Sequence, residues 1–87
     1  MRIDKYLKVS RIVKRRTVAK SLADNSRLFL NGRVAKAGSE VEVGDEIDII
    51  FGQRKLSIRV KMVEENVRKE QCSEMYELIA DTYIENE

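Results

Sequence analysis

Residues 17–34 read TVAKSLADNSRLFLNGRV, and the apolar period changes within them. Val18, Ala19, Leu22 and Ala23 recur at helical spacing, which predicts a helix running to about Asp24. Asn25-Ser26 can close it, because Asn tolerates the left-handed conformation in which many helices end. From Arg27 the pattern is that of a strand. Leu28 and Leu30 alternate with Phe29, Asn31-Gly32 supplies a hairpin turn, and Val34 continues the return strand. A helix followed at once by a hairpin points to an α+β domain.

Upstream, Ile3, Tyr6, Leu7 and Ser10 mark a short helix, with Asp4 in its first turn, where the helix dipole favours a carboxylate. Arg11 to Arg16 form a basic connection that keeps two apolar anchors, Ile12 and Val13. Downstream, Ala37-Gly38-Ser39 is a loop, and Val41 and Val43 alternate before the turn Gly44-Asp45. Ile47, Ile49 and Phe51 mark one strand, and Leu56, Ile58, Val60 and Met62 another, joined by Gly52-Gln53-Arg54. Residues 64–71 are polar and read as loose. Ser73 then caps a final helix with Met75, Leu78, Ile79 and Tyr83 as its apolar face. The expected fold is α+β: two N-terminal helices packed on a small, mostly antiparallel twisted sheet, with a C-terminal helix. The expected organisation is a domain over residues 1–63 and an acidic linker and helical extension over 64–87, dispensable for folding of the first part.

At 87 residues the chain is one domain, with 37% charged residues and no His. The commonest general base and metal ligand is therefore missing. Cys72 is the single cysteine, so there is no internal disulfide and no cysteine-rich zinc site. Apolar runs of three residues are far too short for a spanning helix, and Met1 to Arg16 lacks the apolar stretch of a secretory signal. The chain reads as a complete cytoplasmic protein. Neither a nucleophile motif nor a glycine-rich nucleotide loop is present, and the acidic residues show no metal-ligand spacing. No catalytic activity, cofactor or metal is expected.

The net charge of +2 hides a gradient. Residues 1–36 hold eleven Lys and Arg against Asp4 and Asp24, a local charge of +9. Residues 61–87 hold three basic residues against eight acidic ones, a local charge of −5. A basic lobe of this kind is the footprint of a polyanion binder. Its centre is the start of the second helix, where Lys14, Arg15 and Arg16 oppose the helix dipole. A bound phosphate reverses the sign of that interaction, since the helix end offers N–H groups and Arg offers bidentate contact. On this reading Arg16 serves binding rather than folding, and its loss leaves stability unchanged or slightly raised.

Four segments, in order, carry a resemblance: Arg2-Ile3-Asp4-Lys5-Tyr6-Leu7; Arg16 with Ala19; Leu28-Phe29-Leu30-Asn31-Gly32-Arg33; and Val41-Glu42-Val43-Gly44-Asp45-Glu46-Ile47. Together they resemble the S-four domain, an RNA-binding module named after the fourth small-subunit ribosomal protein. Among its stand-alone members the chain is most similar to the RqcP-type family and the related ribosome-associated fifteen-kilodalton heat-shock proteins. The resemblance implies a non-catalytic factor on the large ribosomal subunit that contacts ribosomal RNA and peptidyl-tRNA. It further implies a role in ribosome quality control, supporting C-terminal tailing of stalled chains alongside a tailing factor. Carried over by position, it makes Arg2 and Arg16 the motif arginines, places Arg11, Lys14 and Arg15 in the connecting loop, and adds Lys36 after the hairpin turn. Lys8 and Lys20, on the exposed faces of the two helices, complete the expected RNA-binding set. Asp4 is the motif carboxylate, read either as a helix-start residue or as an orienting partner for a basic side chain. The family often has Gly near Ser26, Pro near Ala37 and Ser or Thr at Arg15, and this chain departs from it at all three. A monomer with no membrane contact is expected.

The rival reading is a DNA-binding helix-turn-helix regulator, because two short helices with a basic second one fit that outline. Against it, the second helix presents mainly Arg16, Lys20 and Asp24, few side chains for reading bases. Tyr6, between Ile3 and Leu7, reads as core rather than as a stacking platform, and Cys72 as structural or incidental.

Overall fold

The computed structural model describes residues 1–84. Helix α1 (Ile3–Val9) and helix α2 (Arg16–Asp24) come first. Strands β1 (Leu28–Leu30), β2 (Arg33–Val34), β3 (Glu46–Phe51) and β4 (Arg54–Val60) follow. A 3-10 helix (Lys69–Met75) then leads into β5 (Tyr76–Tyr83). All five strands join one sheet in the order β2-β1-β3-β4-β5, every pairing antiparallel. The α+β reading holds.

The core is a single layer between the helices and one face of the sheet. Ile3, Tyr6 and Leu7 of α1 and Ala19 and Ala23 of α2 meet Leu28, Ile47, Ile49, Ile58 and Val60, all of them buried. The two alanines let the α2 backbone approach closely, and Leu22 packs partly buried beside them. Val18, expected on that stripe, is instead exposed. The anchors in the basic connection are real: Val13 is buried, and Ile12 packs against the core. Asn31 and Gly32 both have positive φ, +52° and +84°, the pair of left-handed residues that a tight two-residue hairpin requires. Val41 is buried without belonging to a named strand.

The C-terminal helix falls elsewhere than expected. A 3-10 helix lies over Lys69–Met75, spanning the end of the expected loose segment and the expected Ser73 cap, and Tyr76–Tyr83, expected as helix, is a strand along β4. Met75, Leu78, Ile79 and Tyr83 fit a helical period on paper, and so short a segment cannot settle its own period. The edge of β4 settles it. Ile58 and Val60 are buried, and the strand carrying them gains a full ladder from Tyr76 to Tyr83. The final segment is thus packed into the same core as the first sixty residues. Met75 is fully buried, and its carbonyl accepts from Tyr6 Oη (2.7 Å), Lys61 N (2.8 Å) and Met62 N (3.1 Å). Tyr6 is therefore core, and its burial raises the phenol pKa above the ordinary value. Cys72 is buried with Sγ 3.5 Å from the Val9 carbonyl oxygen, a packing role.

Helix α2 ends on an unusual residue. Arg27 N bonds Leu22 O (2.8 Å) and Ser26 N bonds Ala23 O (3.1 Å), the paired bonds of a Schellman motif. The left-handed residue is Ser26 (φ +56°), whereas Asn25 sits at φ −100° and uses its amide to bond Ser21 O. Only glycine takes this conformation without a steric cost. Ser26→Gly is expected to stabilise the protein by about 0.5–1 kcal/mol, a rise of a few degrees in Tm by circular dichroism. An unchanged or lower Tm would mean that the Ser26 side chain contributes something the bond pattern does not reveal.

Candidate nucleic-acid interface

Asp4 sits at the centre of the site. It lies one residue into α1, 3% exposed, in the layer between α1 and α2. Its Oδ1 accepts the Lys5 backbone N–H at 2.8 Å. Its Oδ2 faces two guanidinium groups, Arg2 Nη2 at 3.2 Å and Arg16 Nε at 3.2 Å. Burial by itself pushes the Asp4 carboxyl up; the contact from Arg16, the Lys5 N–H and the charges of Arg16 and Arg2 outweigh it, so the net shift is downward. The carboxylate is therefore held ionised, and it ties the residue before α1 to the first residue of α2. Of the two readings of Asp4, this geometry supports the orienting partner.

Both arginines keep about half of their side-chain surface exposed. Each spends one edge of its fork on Asp4 and has donors left for another anion. Arg2 is steered from a second side as well, because its guanidinium lies over Gly38 in the loop whose backbone docks on α1 through Ile3 N to Ser39 O (2.7 Å). Arg2, Asp4, Arg16, Thr17 and Lys20 line one shallow hollow. Thr17 and Gly38 were invisible as site residues in the sequence, since only the α1–α2 packing and the 37–39 loop bring them there.

The expectation that Arg16 has no part in folding is corrected here. Its Nε is a partner of a buried carboxylate, so the helix-dipole argument, worth a few tenths of a kcal/mol, is the smaller effect. The remaining feature of that argument does appear: α2 starts with no side-chain cap and no acidic residue in its first turn.

A second hollow lies between α1 and the loop that follows it, lined by Lys8, Arg11 and Lys14 together with Val9, Val13, Val67 and one acid, Glu65. Arg11 stands in the left-handed region (φ +63°), just beyond the C-cap Ser10. A non-glycine residue there is strained, and such strain concentrates at binding surfaces. Neither hollow contains Arg15 or Lys36. Arg15 is the residue before α2, and Lys36 is exposed on the loop leading to Gly38.

Charge pairing separates this surface from strand β4. Among the described residues, Lys8, Arg11, Lys14, Arg15, Lys20 and Lys36 form no salt bridge. Arg54, Lys55 and Arg59 on β4 are all paired, with Asp81, Asp48, and Glu46 plus Glu77. Lys5, on α1 but outside the expected set, pairs with Glu65 at 2.6 Å. Among the described residues the cations of β4 are thus neutralised by neighbouring acids, whereas most of those on the two helices and their connections are not. Among the described residues no cluster of His, Cys, Asp and Glu could hold a metal, and no helix is long and apolar enough to cross a membrane.

Comparison with known proteins fits this arrangement. Residues 1–47, which contain α1, α2 and the hairpin, match the S4 domain family. The chain is 47% identical over 85 residues to the RQC P-site tRNA stabilizing factor of Streptococcus pneumoniae, covering 98% of this chain and 97% of that one. It is 51% identical over 81 residues to the protein of the same name from Listeria monocytogenes, covering 93% and 88%. The fold is similar to the trimeric crystal structure of Vibrio cholerae Heat Shock Protein 15, with a TM-score of 0.83 and 26% identity over 92% of this chain and 82% of that one. With its motif arginines clamped on Asp4 and its match to full-length relatives, the chain belongs to the S4 domain family, among the proteins named RQC P-site tRNA stabilizing factor.

Proposed function

We propose that the protein binds structured RNA on the ribosome through the surface formed by α1, α2 and their connection. Arg2 and Arg16 act as fixed contacts, and Lys8, Arg11, Lys14, Arg15, Lys20 and Lys36 as the surrounding electrostatic field. The observation that carries this reading is the shared carboxylate. Asp4 fixes two half-exposed arginines while the neighbouring cations stay unneutralised by the chain. Fixed forks suit phosphate geometry, and a field of unpaired cations supplies the salt-sensitive part of affinity.

The relatives' name supports a finer reading. The protein engages tRNA in the P site together with ribosomal RNA of the large subunit, in the cytoplasm. By holding the peptidyl-tRNA of a stalled subunit it supports C-terminal tailing of the nascent chain, next to a tailing factor that shares the site. Its own contribution is positioning, with no bond made or broken.

Affinity for a structured RNA is expected to fall steeply with salt. Each neutralised phosphate contributes a slope of about −0.7 to −0.9 in log affinity against log salt, so several contacts give a slope of several units. A filter-binding series in rising potassium chloride measures it, and a flat response would remove RNA from the proposal. Sedimentation of cell lysate then tests the ribosomal part. The protein should travel with large subunits that carry peptidyl-tRNA, and recovery only at the top of the gradient would contradict it.

A further inference from the structure

The hollow between α1 and the loop that follows it is made differently from the one around Asp4. It measures about 490 Å3, within the range of about 300–1,000 Å3 that small-ligand sites occupy. Val9, Val13 and Val67 give it an aliphatic wall, and Lys8, Arg11 and Lys14 stand around that wall. Its one acid, Glu65, is fixed from two directions. Val63 and Val67, two residues to either side, pack against the core, and Lys5 Nζ bonds Glu65 Oε1 at 2.6 Å. That contact lowers the Glu65 pKa, so the carboxyl is ionised at neutral pH. Lys5 leaves most of its acceptor capacity unused. An ionised carboxylate has about four lone-pair sites, and Oε2 has no partner among the described residues.

As a plain polyanion site the hollow would be better without Glu65, because a carboxylate repels the phosphates that the cations attract. The combination suits a ligand of three parts: an anionic group for the cations, a flat apolar face for the valines, and N–H donors for the carboxylate. An unpaired nucleotide has all three. Among the four bases, guanine presents two donors side by side, N1–H and the N2 amino group, matching the two oxygens of a carboxylate. Adenine and cytosine offer one amino group on that edge, and uracil one ring N–H. Pairing in a duplex uses these donors, so the nucleotide must come from a loop or bulge, where sequence-specific reading of RNA concentrates. A basic peptide would be repelled by the three cations, and an acidic one has no flat face edged by two donors.

Resting on the RNA-binding reading above, we propose that this hollow takes one unpaired guanosine nucleotide of the bound RNA and that Glu65 selects the base. The valines cover the base, Lys8, Arg11 and Lys14 hold its flanking phosphates, and Glu65 accepts from N1–H and the N2 amino group. Lys5 is the positioning residue that keeps Glu65 at the hollow. Arg2 and Arg16 line the other hollow, not this one. Backbone contact and base preference therefore reside in different parts of one surface, as they do in nucleic-acid binding generally.

The test uses the full chain and RNA hairpins that differ only in one bulged nucleotide: guanosine, adenosine, cytidine, uridine, or inosine, which lacks the N2 amino group. A fully paired hairpin is the reference, and salt is held constant because affinity depends on it. The guanosine bulge is expected to bind about tenfold more tightly than the adenosine, cytidine and uridine bulges, the discrimination of a good bidentate base contact. Inosine should fall between. Glu65→Gln should bring the guanosine bulge down to the level of the others. The same variant should hold or slightly raise affinity for the paired hairpin, since it removes a negative charge. Loss of fold lowers both affinities together and cannot produce that split. Equal affinity for all five bulges, with the paired hairpin still bound, would overturn the base site and leave the RNA-binding reading standing. Glu65→Gln that raises affinity for every hairpin alike would reduce Glu65 to a repelling charge and overturn it too. No binding to any hairpin would remove both readings.

Discussion

Asp4→Asn is expected to weaken RNA binding by about tenfold even though it makes the protein more positive. Simple electrostatics gives the opposite sign, because removing a carboxylate next to two arginines strengthens the local field. The geometry overrides the field. Asp4 holds Arg2 and Arg16 through the same oxygen at 3.2 Å, and without its charge two long side chains regain their rotamer freedom, which binding must then remove. Stability should fall as well, by about 1–3 kcal/mol, the range for losing charge-assisted bonds to a buried acceptor. The loss stays in that range because both arginines are half exposed and hydrate when released. Arg16→Ala should lose both properties too, since it leaves the buried carboxylate with one fewer partner. Arg59→Ala on β4, paired only with exposed acids, serves as the control with little effect on binding.

The same carboxylate predicts a pH dependence. Its pKa is lowered in the folded protein. Its contribution to stability is therefore fully present above about pH 4, the ordinary range for Asp, and is lost as pH falls through the lower folded value. Thermal melts from neutral pH downward should show this component in the native protein and not in Asp4→Asn. Parallel curves for the two proteins would show that Asp4 is not the titrating group, and an Asp4→Asn that binds RNA more tightly would end its orienting role.

Removal of residues 64–87 is expected to abolish cooperative folding of what remains. The deletion strips β4 of its partner strand, empties the site of the fully buried Met75, and takes away the acceptor of the buried Tyr6 hydroxyl. Met75 alone accounts for roughly 2–3 kcal/mol of apolar burial, and an unpaired buried hydroxyl costs about 1–3 kcal/mol more. A domain of this size has a total stability of about 4–13 kcal/mol. Those two losses come to about 3–6 kcal/mol, the lower part of that range, and the missing ladder adds to them. Urea unfolding followed by circular dichroism checks it, with Met75→Ala as a milder variant expected to lose about 2–5 kcal/mol. A truncated chain with a sharp transition near that of the full chain would restore the division at residue 63 and make the C-terminal strand an accessory.

What the sequence determined by itself is local. The helix over residues 16–24, the Asn31-Gly32 hairpin and the strands on either side of Gly52 follow from periods and turn residues carried within a few positions. The basic lobe was equally legible, because charge along a chain of this size survives folding as charge on a surface. Tertiary structure decided the rest. Whether Met75 to Tyr83 became helix or strand depended on the open edge of β4, which lies some twenty residues away in sequence. Arg16 is bound to Asp4 across twelve positions, and its role changed sign because a buried partner outweighs the helix dipole. The cations left free were not marked as such in the sequence. Lys5 and Lys8 are one turn apart on α1, yet Lys5 is held by Glu65, 60 residues away, while Lys8 has no salt-bridge partner among the described residues. Pairing of that kind is a matter of which surfaces the fold brings within a few ångströms, and no local period encodes it.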